Sequence, residues 1–129
     1  MADDLLQVEL VAADQRVWSG EATFVLTRTT DGELGIMPHH APVLSVLVEG
    51  VVVIRSDDSE AKVAAVDGGF LSVADNRVSI LAEQAAMAED IDQSAARSDL
   101  EQAQGDDDDD EAAYRVRWAE ARIAATEKG

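Results

Sequence analysis

Hydrophobic and polar residues alternate along most of the first 87 residues, a pattern typical of strands with one buried face. Near the start, for example, Leu6, Val8 and Leu10 alternate with polar residues. Clusters of Gly, Asp, Asn and Ser separate one such run from the next. The pattern predicts about ten strands, over residues 6–12, 17–20, 23–29, 33–36, 43–48, 51–55, 61–67, 70–74, 78–82 and 84–87.

Short strands with a turn signal every eight to twelve residues favour an antiparallel β-sandwich. The pattern places turns at Glu49-Gly50, between Gly68 and Gly69, and at Asp75-Asn76. Residues 43–48 are nearly all apolar, which is expected of a strand covered on both faces. No helical pattern interrupts the strands, so a parallel sheet of βαβ units is disfavoured.

From residue 89 onwards, apolar residues recur at helical spacing. Asp92 is suited to cap a helix running towards Gln104, and Gly105 is suited to end it. After the acidic run 106–110, a second helix is predicted over 110–125. The chain is therefore expected to be mainly β with an α tail: a sandwich domain over 1–88 and a thinly packed helical hairpin over 89–129.

The second predicted helix has two apolar stripes. Ala112, Val116, Ala119 and Ile123 form one, and Tyr114, Trp118, Ala121 and Ala125 form the other. Two interpretations of the second stripe are open. Tyr114 and Trp118 pack on the first helix or the sandwich, or they belong to a partner surface. In the second case the contact residues are Arg115, Trp118 and Arg122.

One stretch, 32–42, cannot be a single regular element, although it contains the predicted short strand 33–36. It holds two glycines, two prolines and two histidines. Pro38 and Pro42 fix φ and lack backbone donors, so the stretch is expected to form a stiff exposed loop. Gly35 indicates a bulge or a close approach. Stiff loops on rigid scaffolds commonly carry recognition.

Composition narrows the possible functions. The net charge of −17 argues against nucleic-acid binding. There is no cysteine, and adjacent His39 and His40 would point to opposite sides of an extended backbone. We therefore expect no metal site, no cofactor and no catalytic residue. The acidic N-terminus does not resemble a signal peptide, and no apolar run is long enough to span a bilayer, so a soluble cytoplasmic protein without direct membrane insertion is expected.

The loop sequence G-E-L-G-I-M-P-H-H-A-P-V-L resembles the signature of the epsilon subunit of rotary ATP synthases. A second matching block begins at Asp67-Gly68-Gly69-Phe70 and continues through 76–83 to Ile91-Asp92. The order and spacing of the two blocks agree over roughly residues 5–92. The tail beyond them matches only in type.

The resemblance implies a non-catalytic rotor subunit of the central stalk in a proton-translocating ATP synthase, peripheral on the cytoplasmic face of the membrane. The implied partners are the gamma subunit, the membrane ring of c subunits and, through the tail, the alpha/beta catalytic hexamer, whose ATP hydrolysis the tail would inhibit. The implied contact loop for the ring comprises Glu33, Leu34, Gly35, Ile36, Met37, Pro38, His40, Ala41 and Pro42.

Some relatives bind ATP through an Ile/Leu-Asp-x-x-Arg-Ala motif in the tail. The matching residues here are Ile91, Asp92 and Ala96, but Ala95 occupies the arginine position. Arg97 lies two residues further on, about 200° around a helix axis. The resemblance therefore implies a degenerate motif, with weak or absent ATP binding.

Two other functions fit the composition. One is a free-standing β-sandwich that binds a ligand or a protein, which should show a ligand cavity. The other is a small hydrolase, for which the sequence offers no nucleophile motif.

Overall fold

The computed structural model describes residues 5–56, 59–105 and 110–128. The acidic residues 106–109 lie outside this part of the chain. A single turn of 3-10 helix, Ala88–Asp90, separates the strands from the two helices. The elements are β1 (Leu6–Ala12), β2 (Gln15–Ala22), β3 (Phe24–Thr29), β4 (Gly32–Ile36), β5 (Val43–Ser56), β6 (Ser59–Ala74), β7 (Arg77–Leu81), β8 (Ala85–Met87), α1 (Gln93–Gln104) and α2 (Asp110–Lys128).

The strands form a sandwich followed by a helical hairpin, which confirms the predicted fold class. The sheet order is β2-β1-β7-β6-β5-β3-β4, and β8 pairs with β6 beside this path. The long strands β5 and β6 belong to both layers. The second half of β6 pairs with β7, whereas its first half pairs with β8.

Among the described residues two predicted turns are absent, so eight strands replace the expected ten. Glu49 pairs with Asp67 and Gly50 pairs with Val66, so both residues lie inside the β5–β6 ladder. Gly68 and Gly69 also lie inside β6, with φ of +117° and +104°. These glycines bend the strand without ending it, because only glycine adopts such angles readily.

One pairing also differs from the expected all-antiparallel arrangement. β1 and β7 pair in parallel, with Val8 opposite Val78 and Leu10 opposite Ile80. A parallel pair needs a long connection between its strands. Here strands β2 to β6 themselves provide this connection.

The main core lies between the two layers and is built almost entirely from aliphatic side chains, as the aromatic content of 4% requires. It draws on every strand, and alternate residues of β1 and β7 point into it. Its largest fully buried members are Leu6, Leu10, Val25, Ile36, Val52, Ile54, Val66, Leu71, Val73, Val78 and Ile80.

The hairpin packs on the outer side of β5 and β6 through a second, smaller apolar cluster. Val63 and Ala65 of β6 meet Trp118, Ala121 and Ala125 of α2. This supports the interpretation in which Tyr114 and Trp118 pack on the chain itself. The structure thus shows a docked hairpin with its own buried cluster, where the sequence suggested thin packing.

Candidate binding surfaces

The loop after β4 is compact and exposed. The amide of His40 donates to the carbonyl of Met37 over 3.1 Å, closing a tight turn. His39 adopts a left-handed conformation with φ of +68°. The Met37 side chain is 62% exposed, and Ala41 and Pro42 are exposed too. The loop therefore presents a small, defined surface.

The first part of the predicted contact set lies in β4. Glu33 is exposed and pairs in register with Arg28 of β3. A Cβ on Gly35 would come within 3.0 Å of the Phe24 ring, so the close approach predicted at this glycine is made by an aromatic ring. Leu34 is partly buried against the main core.

Ile36 does not share this exposure. Its side chain is 0% exposed and belongs to the main core. It therefore anchors the start of the loop, and its side chain is not available to a partner. The other residues of the set are at least partly exposed, and their contact with a ring stays a prediction.

A row of apolar side chains crosses the outer face of three strands. Val46 of β5, Phe70 of β6 and Leu81 of β7 are neighbours in register, and Leu44 lies two residues along β5. Leu44 is 75% exposed and Phe70 is 53% exposed. We call Leu44, Val46, Phe70 and Leu81 the outer patch. The apolar run in β5 is therefore covered by this chain on one face only.

A polar network joins α2 to the bend of the sheet. The Tyr114 hydroxyl donates to Asp67 Oδ2 over 2.6 Å, and Gln84 Nε2 donates to the same hydroxyl over 2.8 Å. The backbone N–H of Gln84 also donates to Asp67 Oδ1. On the strand opposite, Glu49 is the register partner of Asp67, and it forms an ion pair with Arg117 of α2 over 3.1 Å. The helix thus contacts both of the carboxylates that face each other across β5 and β6.

Burial raises the pKa of Tyr114 above its usual 10.0, and the hydrogen bond to Asp67 raises it further. Because the pKa is raised in the folded state, the contribution of Tyr114 to docking is complete below pH 10 and is lost as the pH rises from there through the raised pKa. The tyrosinate would then lie beside the Asp67 carboxylate.

We therefore expect α2 to leave the sheet at alkaline pH. Tyr114 is the only tyrosine of the chain, so its ionisation can be followed directly by tyrosinate absorbance, and hairpin release by hydrogen exchange of α2. Asp67→Asn should lower the midpoint, since it removes the negative neighbour. A wild-type midpoint at or below that of free tyrosine would contradict this account.

The basic and aromatic residues predicted as regulatory contacts are used within the chain. The Arg122 guanidinium lies 5.3 Å from the centre of the Trp118 ring and forms an ion pair with Asp99 of α1 over 3.0 Å. Trp118 is 9% exposed, and Arg115 is partly buried. In this conformation, Trp118 and Arg122 hold α1, α2 and the sheet together.

The degenerate nucleotide motif has structural roles. Asp92 caps α1, since its side chain accepts from the amide of Ala95. Ile91 packs against the smaller cluster, and Ala96 is fully buried. Arg97 pairs with Glu127 at the surface instead of replacing the missing arginine.

The part of the chain that the structure describes holds neither a cluster of metal-binding side chains nor a helix that could cross a membrane. Within residues 5–56, 59–105 and 110–128, no three His, Asp or Glu side chains are arranged to hold a metal ion. Neither of the two helices described is long and apolar enough to cross a membrane.

Sequence reasoning missed the outer patch and the Asp67–Tyr114 network. The patch did leave a signal, because Leu81 and Phe70 occupy positions where strand alternation calls for a polar residue. The network left none, since its two main residues lie 47 positions apart. Such a contact follows only from the docked position of α2.

Comparison with known proteins agrees with this architecture. Residues 5–88 match the family model for the beta-sandwich domain of the ATP synthase delta/epsilon chain. The ATP synthase epsilon chain of Streptomyces avermitilis is 52% identical over 120 residues, covering 93% of this chain and 94% of that protein. That of Rhodococcus jostii is 52% identical over 124 residues, covering 95% and 97%.

Solved structures show the same fold at low identity. A chain of the Euglena gracilis mitochondrial ATP synthase superposes with a TM-score of 0.76 at 21% identity, covering 97% of this chain and 81% of that one. A chain from the central stalk and c-ring of the Tetrahymena thermophila enzyme gives 0.59 at 19% identity, covering 95% and 94%. With a sandwich, an appended hairpin and relatives matched over nearly their whole length, this chain belongs to the ATP synthase delta/epsilon chain family.

Proposed function

We propose that this chain is a non-catalytic rotor subunit in the central stalk of a proton-translocating ATP synthase. It binds the gamma subunit and the ring of c subunits, and it couples proton flow to ATP synthesis carried out elsewhere in the complex. Family membership supports the role in the stalk. The observation that carries the choice of surface is the outer patch.

The outer patch has the properties of a permanent protein interface. Its four side chains lie side by side on β5, β6 and β7, where the neighbouring helix does not cover them. Exposing such a row costs solubility, whereas burying it against a partner is favourable by about 25 cal/mol per Å² of apolar area. We therefore assign the outer patch to gamma.

Phe70→Asp should weaken gamma binding about thirtyfold or more, a loss of ~2 kcal/mol that is typical of a central interface residue. The physical reason is that a carboxylate in an apolar interface loses its water without gaining a partner. Binding can be measured by titrating purified gamma with the variant and the wild type.

The matched control is Ala61→Asp, which adds the same charge at an exposed position of the same strand. It lies nine residues away, ~30 Å along β6. We expect this control to bind gamma like the wild type. Equal binding by Phe70→Asp and Ala61→Asp would show that the outer patch is not the interface.

The loop after β4 is proposed to meet the c ring. It presents Met37, Pro38 and His40 at a single turn, and Ala41 and Pro42 lead from it directly into β5. A stiff loop of this kind loses little conformational entropy when it binds a partner, which favours the contact. Through both contacts, the chain would sit at the cytoplasmic face of the membrane as a peripheral subunit.

The hairpin is proposed to inhibit ATP hydrolysis when it leaves the sheet and reaches the alpha/beta hexamer. Undocking would free Trp118 and Arg122, the residues that now hold it in place. The docked state shown here would then be the state in which this inhibition is released.

A free-standing ligand-binding sandwich is the alternative. An open groove of about 790 Å³ does run between α2 and strands β3 to β5. Its rim carries charges of both signs, including Arg28, Glu33, Glu120 and Lys128. A small-molecule site is usually a largely apolar cavity with few polar groups, so this groove favours the alternative less than the outer patch favours the stalk.

A further inference from the structure

The turn between β6 and β7 lies against the loop that follows β4. The amide of His39 donates to the side-chain oxygen of Asn76 over 2.6 Å. The carbonyl of Asn76 accepts from the amide of Gln7 over 2.7 Å. Asn76 thus joins three segments that are far apart in sequence: the loop, the β6–β7 turn and the start of β1.

His39 is the residue of the loop whose conformation most needs such support. Its φ of +68° lies in the left-handed region, which is unfavourable for a residue with a side chain. On either side of it, Pro38 has a fixed φ and the amide of His40 is bonded to Met37. A change of backbone conformation at His39 would therefore open the turn that the bond from His40 to Met37 closes.

Asn76 is suited to support the loop from the β6–β7 turn, because asparagine tolerates the left-handed conformation that this turn requires. Asp75 and Asn76 adopt φ of +52° and +62°, which turns the Asn76 side chain towards the loop. Asn76 is only partly exposed, and its main chain is held by β1. The support for the loop therefore comes from the rigid sheet.

We propose that Asn76 is a positioning residue for the ring contact: by accepting from the amide of His39, it holds the loop in the conformation in which Met37 and His40 meet the c ring. The proposal rests on the function proposed above. It predicts that a side chain outside the loop controls ring binding without itself having to touch the ring.

Two substitutions separate the hydrogen bond from the backbone conformation. Asn76→Gly keeps the left-handed φ freely but removes the acceptor. Asn76→Asp keeps both an acceptor oxygen and the tolerance for this conformation. Hydrogen exchange of the His39 amide, measured by NMR on the full chain, reports the tether. Binding to purified c ring in detergent, in the presence of gamma, reports its consequence.

With Asn76→Gly we expect protection of the His39 amide to fall about tenfold and ring binding to fall three- to tenfold. Binding to gamma alone should not change, since neither Asn76 nor His39 belongs to the outer patch. Asn76→Asp should restore both protection and ring binding. Loss of ring binding in Asn76→Asp equal to that in Asn76→Gly would overturn the role of the acceptor.

Unchanged protection of His39 in Asn76→Gly would refute the tether itself. If protection falls but ring binding is unchanged, the loop variants Met37→Asp and His40→Ala decide the cause. Weaker ring binding by these variants would leave the ring contact standing and overturn the positioning role of Asn76. Unchanged binding would refute the ring contact, and with it the inference built on it.

Discussion

Replacing Gly69 with alanine should destabilise the chain by about 4 kcal/mol or more, which places it among the most damaging single substitutions. A Cβ at this position would overlap the carbonyl oxygen of Leu81 and lie 2.9 Å from the Cα of Ala82. Both obstacles are backbone atoms at the end of β7, so they cannot rotate away as a side chain could. The φ of +104° adds strain for any residue with a side chain. Urea unfolding followed by circular dichroism measures the loss.

The adjacent glycine provides a close control. Gly68 has a similar φ of +117°, but a Cβ there would lie 3.4 Å from its nearest neighbour, the carbonyl oxygen of Leu47. Gly68→Ala should therefore cost only the backbone strain, about 1–3 kcal/mol. Equal losses at the two positions would mean that the close approach at Gly69 contributes nothing.

These glycines also show where prediction from sequence stops. In the sequence, Gly68-Gly69 and Glu49-Gly50 are turn signals that predict breaks between short strands. In a sandwich whose long strands cross from one layer to the other, the same conformational freedom serves to bend a continuous strand. The sequence shows the glycines, but it does not show that the backbone of Leu81 lies against Gly69, and this contact explains why a glycine is needed there.

Substituting Trp118 by alanine should release the hairpin from the sheet while leaving the sandwich folded. Trp118 is the largest member of the smaller cluster, which shares no residue with the main core. Removing a buried tryptophan side chain costs about 3–5 kcal/mol. Because α2 has few other apolar contacts with β6, we expect its amides to lose roughly a hundredfold of their exchange protection. Hydrogen exchange with mass spectrometry resolves α2 from the strands.

Two reference samples make this result interpretable. Trp118→Phe keeps an aromatic ring against Val63 and Ala65, so it should remain largely docked. A chain ending at Ala88 represents the sandwich without its tail, and we expect it to fold with β-rich circular dichroism. If Trp118→Ala unfolds β1 and β7 together with α2, the division into domains at residue 88 is wrong.

The sequence predicts that Trp118 lies on an apolar face of α2, but it does not predict what covers that face. Helical spacing identifies the stripe that contains it, and a helix surrounded by solvent would have no use for a tryptophan there. The choice between its own sheet and a partner could not be made, because both would bury the same face. In β5 the apolar run predicts a strand covered on both faces, and this prediction is wrong for Leu44 and Val46, which the described residues leave exposed. Periodicity shows that a face is apolar, and only the assembled fold shows what lies on it.

β5 connects the surfaces to which separate partners have been assigned. The strand begins at Val43, directly after the loop, and then carries Leu44 and Val46 of the outer patch. Three residues beyond Val46, Glu49 holds the hairpin through Arg117. A load applied to the loop therefore travels along the covalent bonds of β5 as far as Glu49, and it reaches the hairpin through the ion pair between Glu49 and Arg117. In a rotating complex, β5 would therefore move the loop after β4, the outer patch and the docked hairpin through the same angle.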